Sequence, residues 1–196
     1  MSNTFRVTLP LRQTDDPDAT VSQPLAAAQK TMGMVPNMYR AMANFPALLD
    51  TYQHGYQQIR ENSGFSAIEQ EVLFLSISRE NGCSYCVAAH SFMADAMSKV
   101  PPVVTDAIRD GELIPDAKLE ALRKFTQKMV ASRGNPDTED AKAFLNAGFS
   151  EEQILGVILA IGVKVFSNYT NHLFDTKVDA AFAGRSWPEP GGELAP

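Results

Sequence analysis

Apolar residues recur three and four positions apart through most of the chain. Leu49, Tyr52, Tyr56 and Ile59 repeat at that spacing behind Pro46, a residue suited to the first position of a helix. Leu122, Phe125 and Met129 repeat in the same way in a segment that ends near Gly134. No run of alternating apolar and polar residues suggests a strand. The pattern predicts an all-α fold. From Ser150 onward the apolar positions cover nearly every face: Ile154, Leu155, Val157, Ile158, Leu159, Ile161, Val163 and Val165. Such a helix is expected at the centre of a domain or in a subunit interface.

Two helices are expected to start with the same device. Ser66-Ala-Ile-Glu69 and Ser150-Glu-Glu-Gln153 are capping boxes, in which the Ser side chain and the third-position side chain satisfy free amides reciprocally. Both follow Gly-Phe, and they stand 84 positions apart. Ser84-Tyr85 and Asn168-Tyr169 match at the same offset, which reads as a weak internal repeat of a helical unit. In the second copy Ser167 and Thr170 occupy the places of the two cysteines, so one copy is expected to hold the chemistry and the other to buttress it.

The punctuation bounds the domain. Residues 1–22 are rich in Pro, Asp and Thr and read as an extended arm. Residues 23–183 read as one helical domain, and residues 184–196 as an irregular tail unable to sustain a helix or strand. At 196 residues with 44% apolar and 20% charged side chains, the chain suits one soluble domain with a sizeable core. A net charge of -6 and the absence of a basic run argue against nucleic acid or an anionic membrane as partner. The N-terminus lacks the pattern of a secretory signal. The longest apolar stretch, Ile154 to Phe166, is interrupted by Lys164 and is too short to span a bilayer. A cytoplasmic protein is expected.

That compartment changes how the two cysteines read. A close pair in a reducing environment points to catalysis or metal binding before a structural staple. Cys83-Ser-Tyr-Cys86-Val-Ala-Ala-His90 places three reactive groups at i, i+3 and i+7, on one helical face. The cysteines are spaced to form a disulfide. His90, one turn beyond Cys86, can accept its proton or stabilise its thiolate as an imidazolium. Cys86 is therefore the better candidate for the activated sulfur and Cys83 for its resolving partner. Other readings of the pair are inert burial or half a zinc site, for which only His54, His90, His172 and carboxylates remain. Val87 directly after Cys86 rules out a haem-attachment motif.

Glu69, Glu71 and Glu80 are all available to orient His90. None can do so along one straight helix, because Cys83 lies twelve residues beyond Glu71, roughly 18 Å of helical rise. Asn81-Gly82 supplies a break. One helix is expected from Ser66 to about Glu80 and another from about Cys83, whose N-terminal dipole would favour a thiolate. His172 either lines the pocket or caps a helix end, and His54 reads as a surface or packing residue. Met32, Met34, Met38 and Met42 read as core, or as the wall of an apolar entrance.

The E-x11-C-x-x-C-x3-H spacing from Glu71 through His90 resembles the AhpD-like alkylhydroperoxidase branch of the carboxymuconolactone decarboxylase superfamily. Gly33-Met-Val-Pro-Asn37 with Asn44-Phe-Pro46 looks like its upstream part, and Gly148-Phe-Ser150 through Asn168-Tyr-Thr-Asn-His172 like its downstream part. The resemblance implies an all-α AhpD-like fold assembled as a homo-oligomer, whether dimer, trimer or hexamer. It implies reduction of hydroperoxides through a sulfenic acid and then a disulfide, with no cofactor or metal. A thiol or dithiol reductant, such as a lipoyl or thioredoxin-like protein, would restore the pair. Carried over by position, Cys86 attacks, Cys83 resolves, and Glu71 with His90 relays protons. The best-known members carry a histidine where this chain has Tyr85, which could still donate a hydrogen bond. The alternatives are a non-catalytic redox sensor or oligomeric binding protein, and a cofactor-free lyase or isomerase using Glu71 and His90.

Overall fold

The computed structural model describes residues 4–188. Among them are nine α-helices, one 3-10 helix and no strand. They are α1 (Ala19–Met32), α2 (Asn37–Met42), α3 (Pro46–Asn62), α4 (Ala67–Glu80), α5 (Ser84–Ala96), α6 (Pro102–Asp110), α7 (Ala117–Ala131), α8 (Thr138–Asn146), α9 (Glu151–Phe174) and the 3-10 helix Ala180–Arg185. The fold is all-α, as the apolar spacing predicts.

The centre of the molecule is α4. Every residue from Glu69 to Ser78 is buried, and the helix packs against α3, α5, α6, α7 and α9. A helix enclosed on all sides must dispose of its polar side chains internally. The Ser76 and Ser78 hydroxyls donate to the Val72 and Phe74 carbonyls at 2.6 and 2.7 Å. The Gln70 amide donates to the Phe65 carbonyl at 2.9 Å. Beyond α4, Phe125, Phe144 and Phe149 stack with centroids 4.4 and 4.5 Å apart.

The break expected at Asn81-Gly82 is there. Asn81 ends α4, Gly82 takes φ +66°, and the Cys83 amide reaches back to the Ser78 carbonyl at 2.9 Å. A positive φ costs a side-chain-bearing residue but not glycine. Cys83 then adopts an extended conformation as the N-cap of α5.

Both capping boxes form, at Ser66 with Glu69 and at Ser150 with Gln153. The repeat reading stops there. In place of a helix, a break and a second helix, the Ser150 box opens a single 24-residue helix. Tyr85 is buried, whereas Tyr169, its counterpart, is 55% exposed.

By length and composition α9 is long enough to cross a membrane, which the Ile154–Phe166 stretch alone is not. Here it packs on α2, α3, α4, α5 and α7. Its inner face carries Val157, Ala160, Val163, Lys164, Ser167, Asn168 and Asn171. Leu155, Ile158, Leu159, Tyr169 and Leu173 form an exposed apolar stripe on the other side.

The ends differ from the sequence reading in two respects. Asp18 caps α1 through the Thr20 amide, so residues 19–22 of the expected arm begin a helix. The expected irregular tail is helical to Arg185, and Trp187 Nε1 donates to the Arg109 carbonyl at 3.1 Å. Arg185 also pairs with Asp95 and Asp106 at 3.0 and 2.7 Å. Residues 1–3 of the arm and 189–196 of the tail lie outside the described residues.

Candidate active site

The sharp turn at Gly82 lays the start of α5 alongside the helix it has just left. Cys83, Cys86 and His90 consequently share a buried face, each exposed by 3% or less. Both cysteines are free. Cys86 lies in the first turn of α5, where the helix dipole favours an anion.

Of the three candidate glutamates, Glu71 reaches His90. Its Oε2 is 2.9 Å from His90 Nδ1. Glu69 is engaged in its capping box and pairs with Lys118 at 2.7 Å. Glu80 is exposed. The other oxygen of Glu71 accepts from Arg60 Nη2 at 2.5 Å and from the Ser98 hydroxyl at 3.4 Å. Burial raises the Glu71 carboxyl, but the bonds to His90 and Arg60 outweigh it and hold the group below its usual range. An ionised Glu71 only accepts, so the His90 proton sits on Nδ1 and Nε2 is the basic nitrogen of the ring.

Aromatic rings wall this pair. Phe74 stacks on His90 with centroids 4.9 Å apart and on Tyr56 at 5.2 Å. The Arg60 guanidinium lies 4.8 Å from the Tyr56 ring centre and donates to the Tyr56 hydroxyl. Burial, followed by the nearby Lys164 charge, pushes His90 down to about 4 against the opposing pull of Glu71. The imidazole is therefore neutral at neutral pH. The imidazolium considered from the sequence as a thiolate stabiliser is disfavoured because the ring is dry and faces another cation.

The two sulfurs are unequal. The Cys83 thiol hydrogen-bonds to Cys86, and that bond together with burial raises Cys83 well above the ordinary thiol range. Burial would also raise Cys86. The hydrogen bond from Cys83 and the charge of Lys164, with the Ser167 hydroxyl adding to them, outweigh burial, and Cys86 is held well below the usual value. Asn171 Nδ2 lies 3.3 Å from Cys86 Sγ and 3.9 Å from Cys83 Sγ. The Ser167 hydroxyl is 3.1 Å from the Lys164 carbonyl and can rotate between that oxygen and the sulfur.

Tyr85 is close to the pair, but its hydroxyl donates to Asp179 Oδ2 at 2.5 Å and also receives the Met38 amide at 3.5 Å. Its hydrogen is directed at Asp179, not at a sulfur. Asp179 accepts from the Asn37 amide as well, at 3.2 Å, tying the segment after α9 to α2. His172 sits in the last turn of α9, its ring 6.4 Å from Tyr169, and among the described residues no hydrogen bond joins it to the cysteines. His54 is exposed. Met38 and Met42 are core residues, whereas Met32 is 48% exposed.

Sequence reasoning did not find Arg60, Lys164, Ser167, Asn171 or Asp179. Lys164 left a trace as the one cation inside an apolar helix. No carboxylate lies three or four residues from it, so its partner had to come from another element.

No family model matches the sequence, and no curated protein matches it. Solved structures do. A peroxidase-related protein from Ralstonia eutropha, described as an alkylhydroperoxidase AhpD core, aligns with TM-score 0.79 and 20% identity over 89% of this chain and 93% of its own. A peroxidase-related protein from a Silicibacter species gives TM-score 0.77 and 22% identity over 94% and 99%. A cysteine-to-alanine variant of the debrominase Bmp8, in complex with 2,3,4-tribromopyrrole, gives 0.73 and 19% over 90% and 93%. At these identities the likeness is one of architecture: the chain has the AhpD-like helical fold.

Proposed function

We propose that the protein is an enzyme, a thiol-dependent peroxidase in which Cys86 is the attacking sulfur. The observation that carries this reading is the unequal setting of the two cysteines. Cys86 has the helix N-terminus, the Asn171 amide and a cation about it, while Cys83 keeps its proton. The Cys86 thiolate attacks a hydroperoxide oxygen and the O–O bond breaks. Sulfenic acid forms on Cys86, and the departing alkoxide takes up a proton to become an alcohol. The Cys83 sulfur then attacks Cys86. Its proton leaves with the hydroxyl as water, and a disulfide closes within the turn. A thiol or dithiol reductant supplies two electrons to reopen it.

In this scheme His90 passes protons through Nε2, and Glu71, braced by Arg60, fixes the ring. With a value near 4, His90 relays a proton but does not store one. Tyr85 serves as a positioning residue through Asp179, not as a donor to the peroxide. Burial of both sulfurs favours a compact oxidant. The apolar stripe of α9 favours assembly as a homo-oligomer.

The test is hydroperoxide consumption by purified protein with a dithiol reductant, comparing hydrogen peroxide with a bulky aryl hydroperoxide. The expected result is turnover that favours the smaller oxidant and is lost in Cys86→Ser. No consumption, or undiminished activity in Cys86→Ser, contradicts the reading. Likeness to a debrominase makes a brominated pyrrole the second substrate to offer with the same reductant.

A further inference from the structure

Lys164 is the one buried lysine among the described residues; the other lysines are all exposed. Its side chain is fully enclosed, and its Nζ has no hydrogen-bond partner. No ion pair includes it among the described residues. The nearby aromatic face, Phe74, is 5.9 Å from Nζ, at the edge of cation–π range, and such an attraction is too small to offset the loss of hydration. An isolated buried ammonium is costly, so a charge that balances it is to be sought nearby.

The neighbouring carboxylates are already engaged. Glu71 spends one oxygen on Arg60 and the other on His90. Asp179 holds the Tyr85 hydroxyl and the Asn37 amide. The helix itself indicates the direction of the missing partner. Ser167 and Asn171 follow Lys164 by three and seven residues on the same face, and Asn171 touches both sulfurs. Lys164 and the ring of His90 both lie against Phe74. The anion left to balance it is the Cys86 sulfur.

We propose that Lys164 is the resident counter-cation of Cys86, which holds that sulfur in its charged form and biases the cysteine pair toward the dithiol. Its charge acts on Cys86 through space, from α9 toward α5, without a hydrogen bond to the sulfur. Closing the disulfide takes the charge away: Cys83 releases a proton, the pair releases two electrons, and two neutral sulfurs remain. The ammonium is then buried without an anion, so the oxidised form is destabilised. A disulfide poised this way is readily reopened by a dithiol, in the manner of thiol oxidants whose reduced form is stabilised. The inference extends the thiol chemistry proposed above and does not require a peroxide as substrate.

The groups facing Cys86 are Cys83, Tyr85 and His90 beside it, Tyr52 from α3 and Lys164 from α9. Glu71 on α4 stands behind His90, and Asp179 behind Tyr85. The experiment compares reduced wild-type protein with Lys164→Met and Lys164→Arg. Thiolate absorbance near 240 nm is followed against pH, and the disulfide is equilibrated in glutathione buffers. In Lys164→Met the thiolate is expected to appear at least about one pH unit higher, about a tenfold loss of thiolate below that point. The dithiol–disulfide constant should move about tenfold toward the disulfide, about 30 mV more negative. Lys164→Arg should return part of both. A folded Lys164→Met with the wild-type titration and constant overturns the proposal.

A measurement on the wild type covers the case in which Lys164→Met does not fold. With 13Cε-labelled lysine, alkylation of Cys86 should shift the Lys164 resonance and leave the exposed lysines in place. An unmoved Lys164 overturns the proposal as well. None of these readouts uses a peroxide. A protein that spares hydroperoxides yet shows the Lys164 effects retires the peroxidase reading alone.

Discussion

Ser66 and Ser150 open their helices with the same reciprocal cap, yet the two helices end differently. The first stops after 14 residues, turns through Gly82 at φ +66°, and starts again at Cys83. The second runs for 24 residues without interruption. The break creates a fresh helix N-terminus with two sulfurs on it. The unbroken helix brings Ser167 and Asn171 to those sulfurs and carries Lys164 on the same face, at a spacing only continuous helix provides. On the proposed reading, one region supplies reactive atoms and the other sets their charge. The cap fixes where a helix begins, whereas its chemistry depends on where it stops.

The comparison breaks most completely at the sulfurs. Cys86→Ser is expected to lower the rate of hydroperoxide reduction by at least about a thousandfold in steady-state assays, because the attacking atom is gone. Cys83→Ser should still consume one equivalent of oxidant per chain and then stall. Equal losses of that first equivalent in both variants would remove the division of labour between attacker and resolver.

The next effect is on stability against pH. The unfolded chain takes up a proton at His90 from about pH 6.5 downward, whereas the folded site refuses it until about pH 4. Stability is therefore intact above pH 6.5 and falls through that window, by about 3 kcal/mol at pH 4. Denaturant titrations at stepped pH should show this slope, and His90→Asn should flatten it. A wild-type protein with no loss between pH 6.5 and 4 would show that the imidazole is not held dry by the α4–α5 fold.

The smallest effects come from the same substitution made in both regions. Gly82→Ala places a side chain at positive φ and should cost about 1 kcal/mol in thermal unfolding. Gly162 lies inside α9 with open space where a methyl group would point. Gly162→Ala should stabilise by about 0.5 to 1 kcal/mol, since alanine is the better helix former. Two changes of the same sign would erase the contrast between the broken and the unbroken helix.

Local features were legible in the sequence. The apolar spacing gave the helix class, both caps formed where the Ser and Glu or Gln positions placed them, and Asn81-Gly82 marked the break. The phase of Cys83, Cys86 and His90 survived because it depends only on helical geometry. Glu71 was singled out by resemblance, since nothing local separates it from Glu69 or Glu80. The contacts that shape the site cross long stretches of chain. Tyr85 meets Asp179, 94 residues away, and Asn171 reaches Cys86, 85 residues away. The sequence leaves the Tyr85 hydroxyl free to donate into the site, whereas Asp179 claims it from the far end of the domain. Lys164 looked like an interruption of an apolar stretch. Its role depends on what lies opposite, and no spacing within α9 carries that information.

The central claim is that Cys86 is the sulfur that attacks. Its most direct test is to give reduced Cys83→Ser protein one equivalent of hydroperoxide and trap sulfenic acid with a carbon-acid reagent such as a cyclic dione, locating the label by mass spectrometry. The label is expected on Cys86, with one hydroperoxide lost per chain. An unlabelled Cys86 with the hydroperoxide intact would contradict the account.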